Sequence, residues 1–263
     1  MKERLGVLDG LRGIAILQVL WFHLWVLRGI SEPVPWLQFL PKTGNFGVHL
    51  FFFLSGFVIV FPFVRAQRAN QPEPQWTHFA WRRFIKIVPS YALSIAIAYA
   101  VGFAAVERSH ATILAELVTH ALFIHTWWPS TATSINGVLW TLAIEAEFYA
   151  IFPLLWWLFK RRPWATGLAL IALSWALRMW RATFLAPAVV NALSGNLPNF
   201  VDLFAFGMLC AWCVAHFGET ARAPEQRFRM SALAAVGTAV IIGTFIGIGN
   251  GRAFYPNVYL HEV

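Results

Sequence analysis

Arg12 and His23 stand inside the first apolar stretch of the chain, Arg12 to Ile30. They are eleven positions apart. At about 100° per residue that separation is close to three whole helical turns, so both side chains share one helix face, ~16 Å apart along the axis. An imidazole in an apolar, water-poor setting can take a proton from a hydroxyl near neutral pH. A guanidinium at the membrane edge can hold a phosphate. A gap of ~16 Å along a helix suits the long flexible arm of an acyl-CoA, and would equally suit a proton path.

The other ionisable residues within apolar runs are His49, Glu145, Glu147 and Asp202. Each charge in a span costs about 2.5–3.5 kcal/mol on insertion scales, so such residues face a bundle interior and mark candidate sites. Bland roles compete at each position. His49 can bond a loop carbonyl, and Asp202, in the first turns of its span, can complement the helix dipole. Glu145 and Glu147 lie about 200° apart around a helix and cannot share a face, whereas Glu145 and Tyr149, at i and i+4, can. One Glu is expected to face a site and the other a partner helix or interface. Cys210 and Cys213 have C-x-x-C spacing but sit in an apolar stretch without a second pair, which reads as two small buried residues. The eight His are scattered, and no metal site is expected.

Composition determines what must position these groups. Of 263 residues, 59% are hydrophobic and 12% charged, with a mean hydropathy of +0.61. A soluble domain carries about twice that charge. The expected fold is all-α: a polytopic transmembrane helix bundle, a single membrane domain over residues 1–263. In a soluble chain, a net charge of +8 would suggest nucleic acid. Here basic residues collecting in cytoplasmic loops explain it, and no nucleic-acid partner is expected. The 14 Trp residues fit membrane interfaces. The first span is too long for a signal-peptide core and lacks an A-x-A-like site after it, so it reads as a retained helix.

Apolar spans are expected at about 12–30, 46–64, 84–106, 138–159, 164–180, 197–217 and 231–249. Segment 111–127 is moderately apolar but contains Glu116, His120 and His125. If it crossed, with the N-terminus inside, Lys160-Arg161-Arg162 and loop 218–230 would face outside, against the positive-inside rule. If it does not cross, the N-terminus through Arg12, loop 65–86, residues 160–162 and loop 218–230 all lie inside, with 3, 5, 3 and 3 of the 20 Lys and Arg residues. The reading is therefore about seven crossings, a cytoplasmic N-terminus, and a re-entrant or interfacial segment at 111–127, of the kind tolerated where it lines a protein cavity.

Four stretches, in order, are similar to the acyltransferase-3 family of integral membrane O-acyltransferases. They are LDGLRGIAILQVLWFHL (8–24), FGVHLFFFLSGFVI (46–59), FAWRRFIKIVPSYALS (79–94) and LWTLAIEAEFYAIFPLL (139–155), with FVDLFAFGMLCAW (200–212) a weaker fifth. The resemblance implies transfer of an acyl group, usually acetyl, from cytoplasmic acyl-CoA to a sugar hydroxyl. The acceptor it implies is an extracytoplasmic glycan, a lipid-linked saccharide or a secondary metabolite. It implies a multi-pass protein of the bacterial inner membrane, in contact with lipid and with no bound cofactor.

By the same carry-over His23 is the general base, and Arg12 binds the donor or orients the site. Glu145 orients or charge-balances the imidazole, and Arg82, Arg83 and Lys86 contact donor phosphates. Ser55 and Gly56 permit close approach, while Trp140 and Tyr149 join the substrate-binding set. The chain departs from the family pattern at Lys86, where Arg is common, at Thr141, which replaces Ser, and at Glu147, where an amide is frequent. It also has fewer crossings than the family usually has, and its tail, NVYLHEV, reads as a truncation or a short form. A proton-coupled transporter would use the same buried His, Glu and Asp, although the paired repeats common in transporters are absent. An inactive remnant that binds acyl-CoA without turnover is a third reading. Oligomeric state is not legible in the sequence.

Overall fold

The computed structural model describes residues 6–28, 45–101, 110–185, 189–190 and 194–217. Every regular element among them is helical. The α-helices are α1 (Gly6–Arg28), α2 (Asn45–Arg68), α3 (Trp76–Ala100), α4 (His110–Ala121), α5 (Trp140–Phe159), α6 (Pro163–Phe184) and α7 (Val201–Phe217), with 3-10 turns at His125–Trp127, Gly137–Leu139 and Leu197–Asn199. Among the described residues three segments are long and apolar enough to cross a bilayer: Phe46–Arg68, Trp76–Ala100 and Gly137–Phe159. Ala111–Ala121 and Val201–Phe217 are shorter apolar helices. The span expected at 231–249 lies outside the described residues.

Each of these three segments carries an internal proline: Pro62 in α2, Pro89 in α3 and Pro153 in α5. A proline removes one backbone donor and frees a carbonyl, which neighbouring groups can satisfy inside a bundle. α2 ends on Arg65 and Arg68, cations that suit the negative end of the helix dipole.

The chain divides into two compact units. The first holds α1, α2 and the part of α7 from Phe206 onward. α1 and α2 meet through Gly47, where a β-carbon would lie 2.5 Å from the Ala15 carbonyl oxygen and 2.7 Å from Val19 Cγ2. Gly207 does the same for α7 against α2, since a β-carbon there would collide with the Phe53 carbonyl and the Phe57 amide nitrogen. Lipid tails are as apolar as leucine, so close backbone packing at small residues is what drives such helices together. Ala15 and Val60 are fully buried, and Phe52 is nearly so.

The second unit holds α3–α6 and the first turns of α7. Its centre is aromatic: Phe148, Phe152, Trp156, Phe159 and Phe204 are buried. Phe148 stacks on Phe204 with ring centroids 4.0 Å apart and planes 18° apart, an arrangement worth about 0.5–1.5 kcal/mol beyond area burial. α3 begins eight residues before its expected start at Phe84. The added turns are amphipathic rather than loop: Trp76 and Phe79 pack on Phe152 at 5.9 and 5.3 Å, while Arg82 stays exposed. Lys160, after α5, pairs with Glu73 before α3 at 2.9 Å.

Candidate active site

In the first unit, α1 runs without a break from Gly6 to Arg28, so Arg12 and His23 occupy one continuous helix and share a face. Ala15 and Val19 connect them at three- and four-residue steps, and these two meet α2 at Gly47. The shared face is therefore the α2-packing face. His23 is half-buried. Its Nδ1 lies 2.7 Å from the Val19 carbonyl oxygen. A carbonyl only accepts, so Nδ1 carries the hydrogen and Nε2 keeps a lone pair. That is the tautomer a proton acceptor needs. Phe22 sets its ring against the imidazole edge-on, at 5.4 Å and 85°. Arg12 pairs with Asp9 at 3.2 Å, with side-chain exposures of 38% and 62%. An exposed i,i+3 pair contributes at most about 1 kcal/mol, so Arg12 can release Asp9 for another anion at little cost. Ser55 is half-buried and Gly56 buried on α2.

In the second unit, Glu145 and Tyr149 are buried one turn apart on α5, and the guanidinium of Arg83 lies over the Tyr149 ring at 5.3 Å and the Phe79 ring at 5.5 Å. Two aromatic faces thus hold Arg83 in place, whereas Arg82 and Lys86 are exposed. Trp140 packs on Phe200 at 5.4 Å. Glu147 takes a different direction from Glu145: it accepts from Trp127 Nε1 at 2.7 Å and from Thr126 Oγ1 at 3.5 Å. It clamps the turn after α4 onto α5.

Two polar clusters of the second unit were not anticipated. In the first, Arg178 of α6 meets the fully buried Asp202 of α7 through Nη2 at 2.6 Å. Asp202 also accepts from Trp175 Nε1 at 3.1 Å and Ser174 Oγ at 3.3 Å. Arg178 donates to the Asn199 carbonyl as well, and Arg181 donates to the Asn196 and Asn199 side chains at 3.3 and 3.1 Å. Asp202 is thus a buried ion-pair partner and not only a dipole complement. The signal available in sequence was the i, i+4, i+7 spacing of Ser174, Arg178 and Arg181, one polar stripe on an apolar helix.

The second cluster joins α3, α4 and the following turn. His120 and His125 are fully buried and their rings stack with centroids 3.9 Å apart and planes 8° apart. His120 Nδ1 donates to the Glu116 carbonyl at 2.8 Å, and His125 Nδ1 pairs with the Tyr91 hydroxyl at 3.3 Å. Neither Nε2 has a hydrogen-bond partner. Burial, with the neighbouring His120 adding to it, pushes the His125 imidazole down to about 3. Burial also pushes His120 below its ordinary value. Both rings are neutral at physiological pH. Each Nε2 points outward in its own ring plane, and near-parallel stacked planes do not converge on one metal ion. Among the described residues no group of three His, Cys, Asp or Glu is placed to hold a metal. Cys210 and Cys213 are free thiols, both half-buried on α7.

Comparison with known proteins bears on this arrangement. The acyltransferase-3 family, described as an acyltransferase domain, matches residues 5–262. The chain is 30% identical over 166 residues to the acyltransferase MdmB of Streptomyces mycarofaciens, covering 61% of this chain and 41% of that protein. It is 30% identical over 166 residues to the peptidoglycan O-acetyltransferase OatA of Listeria monocytogenes, covering 56% and 23%. It is 27% identical over 190 residues to nodulation protein 10 of Rhizobium leguminosarum bv. viciae, covering 65% and 49%. The chain therefore spans about a quarter to a half of the length of these relatives. No solved structure matches it. The family match takes in nearly the whole chain, and the chain belongs to the acyltransferase-3 family.

Proposed function

From this family membership we propose that the protein is a membrane-embedded O-acyltransferase that moves an acyl group, acetyl in the first instance, from cytoplasmic acyl-CoA to a sugar hydroxyl on the far side of the membrane. The topology that goes with it has about seven crossings, a cytoplasmic N-terminus and a non-crossing segment at 111–127, in the bacterial inner membrane. The observation that carries the reading is His23, held with its hydrogen on Nδ1 by the Val19 carbonyl and placed three turns from Arg12 on one helix face.

The chemistry runs as a direct transfer. His23 Nε2 takes the proton of the acceptor hydroxyl as the oxygen attacks the thioester carbonyl carbon. The new C–O bond forms, the C–S bond breaks, and the proton passes from the imidazolium to the departing CoA thiolate. General-base assistance of this kind contributes about 10²–10⁴-fold. Glu145 supplies the buried carboxylate of the site. Arg12, Arg82, Arg83 and Lys86 form the donor-binding set. Among the three on α3, Arg83 is restrained by two rings and is assigned the specific phosphate contact, while the exposed Arg82 and Lys86 attract the donor by charge. Ser55, Gly56, Trp140 and Tyr149 complete the substrate-binding set. The relatives' names support the class of reaction: MdmB is named an acyltransferase and OatA a peptidoglycan O-acetyltransferase.

The test uses membranes carrying the full-length protein and radiolabelled acetyl-CoA. His23→Ala, inserted at wild-type level, is expected to lose at least about a hundredfold in acyl transfer. Transfer by His23→Ala at the wild-type rate would refute the mechanism.

A further inference from the structure

The turn that joins α5 to α6 carries three consecutive cations, Lys160, Arg161 and Arg162, and they do different things. Lys160 serves the fold, since its ammonium pairs with Glu73 at 2.9 Å. Arg161 and Arg162 are exposed. The Arg161 guanidinium lies over the Trp157 ring, 3.8 Å from its centroid. That is closer than any other cation over a ring among the described residues.

The backbone of this turn is fixed without the help of either guanidinium. The Lys160 amide donates to the Trp156 carbonyl at 2.9 Å, and the Arg161 and Arg162 amides both donate to the Leu158 carbonyl at 3.2 Å. The Arg162 carbonyl accepts from the Thr166 amide at 2.9 Å, one turn into α6. A ring engages a cation through its face, and that contact consumes none of the guanidinium's N–H donors, which lie in its own plane. The Trp157 ring therefore restrains Arg161 and leaves its fork for an anion. A planar fork matches a phosphate with two parallel hydrogen bonds, whereas an ammonium offers a point charge in its place.

The surface below Arg161 says what kind of phosphate it takes. Leu154, Trp157, Leu158 and Arg161 follow one another at steps of three, four and seven, so they share one face at the end of α5. The three apolar members are 60%, 49% and 41% exposed. Gly137–Phe159 is long and apolar enough to cross a bilayer, which puts the turn after it at headgroup level. Indole rings concentrate at that level. The face is thus an apolar strip in the hydrocarbon layer with a guanidinium at its top, the pattern of a phospholipid read from chain to headgroup. A phosphate compound dissolved in water would leave the apolar strip unused.

We propose that this face binds an anionic phospholipid, its phosphate in the fork of Arg161, with Arg162 adding charge beside it and an acyl chain along Leu158 and Leu154. The site is separate from the acyl-transfer residues and does not rest on their assignment.

The test is photolabelling of the full-length protein in nanodiscs with phosphatidylglycerol that carries a diazirine on its headgroup, and with phosphatidylcholine that carries the same group. Each cation at an anionic surface is worth about fivefold in binding, so the peptide spanning residues 154–164 is expected to take at least about tenfold more label from the first lipid. Arg161→Gln/Arg162→Gln, at exposed positions with little risk to folding, should abolish that preference. Arg161→Lys distinguishes a site from general surface charge: it keeps the charge and loses the fork, so label should fall severalfold. Trp157→Leu, which releases the guanidinium, should also lower it severalfold. Equal labelling by the two lipids, labelling unchanged in the double variant, or full labelling of Arg161→Lys overturns the proposal. Displacement of the label by acetyl-CoA overturns it as well, because the anion held would then be a soluble phosphate and not a lipid.

Discussion

Removing Arg178 should cost far more than removing Arg178 and Asp202 together. The side chains are 6% and 0% exposed and meet at 2.6 Å, so Arg178→Leu leaves a fully buried carboxylate without its guanidinium, though Trp175 and Ser174 still donate to it. Two magnitudes compete. Neutral hydrogen bonds in a membrane protein average about 0.6 kcal/mol and reach about 1.7, because the unfolded chain finds partners in the bilayer. Breaking a buried ion pair by removing one member costs about 3–5 kcal/mol, because the orphaned charge stays desolvated. The second applies here, since Asp202 has no exposed surface on which to recover hydration. At 1.4 kcal/mol per decade, about 3 kcal/mol is a loss of more than a hundredfold in the ratio of folded to unfolded protein. Asp202→Leu strands the guanidinium instead, with a comparable loss. Arg178→Leu/Asp202→Leu strands neither, and replacing both members of such a pair is often neutral. The measurement is a double-mutant cycle of reversible unfolding in mixed micelles, expected to give a coupling of at least ~3 kcal/mol. Singles that cost under ~1 kcal/mol, or a double equal to the sum of its singles, would refute the argument that this pair locks α6 to α7.

Two further outcomes follow from the packing. Gly47→Leu should separate α1 from α2, because even a β-carbon there meets the Ala15 carbonyl and Val19; reversible unfolding in mixed micelles should show a loss of about 1–3 kcal/mol, and an unchanged stability would contradict the close approach. Acid should destabilise the fold through the histidine pair. His125 titrates at about 3 in the fold against 6.5 when unfolded, so below pH 6.5 the unfolded state binds the extra proton and stability falls with pH, by up to about 1.4 kcal/mol per pH unit. The melting temperature in micelles should drop between pH 7.5 and 5, and His125→Gln should remove that part of the drop; an identical pH profile in His125→Gln would overturn the assignment.

What the sequence made legible was whatever periodicity and local chemistry encode. α2 lies where its apolar run placed it, α1 extends its run back to Gly6, and the Arg12–His23 face follows from spacing alone. The opposite directions of Glu145 and Glu147 follow from the 200° between them, and the structure shows Glu147 engaged by Thr126 and Trp127. The start of α3 was not legible, because Trp76 and Phe79 look like loop residues until Phe152 is brought against them. Arg178 was missed for a similar reason. A basic residue near the end of an apolar run looks like one that reaches for the interface, and nothing local distinguishes it from one paired with an acid 24 positions away. The stack of His120 on His125 likewise depends on a turn whose path α5 sets through Glu147.

These placements also bear on which histidine can act as a base. His23, His120 and His216 are all helical, and each places Nδ1 within 2.7–2.9 Å of the carbonyl four residues earlier. All three therefore carry the hydrogen on Nδ1 and keep a lone pair on Nε2. The tautomer that suits a general base is a by-product of the helix and distinguishes none of them. Surroundings do distinguish them. His120 is fully buried with its ring covered by His125, so a substrate hydroxyl has no approach to its Nε2. The His216 ring lies flat on Trp212 at 4.1 Å, next to the C-terminal end of α7. His23 is only half-buried, and Phe22 contacts it edge-on, leaving the faces of the imidazole uncovered by that ring. It is also the one of the three with a cation, Arg12, three turns away on its own face. Proton acceptance requires a lone pair that a hydroxyl can reach, and that criterion is the ground for proposing His23 on α1, rather than His120 on α4 or His216 on α7, as the base.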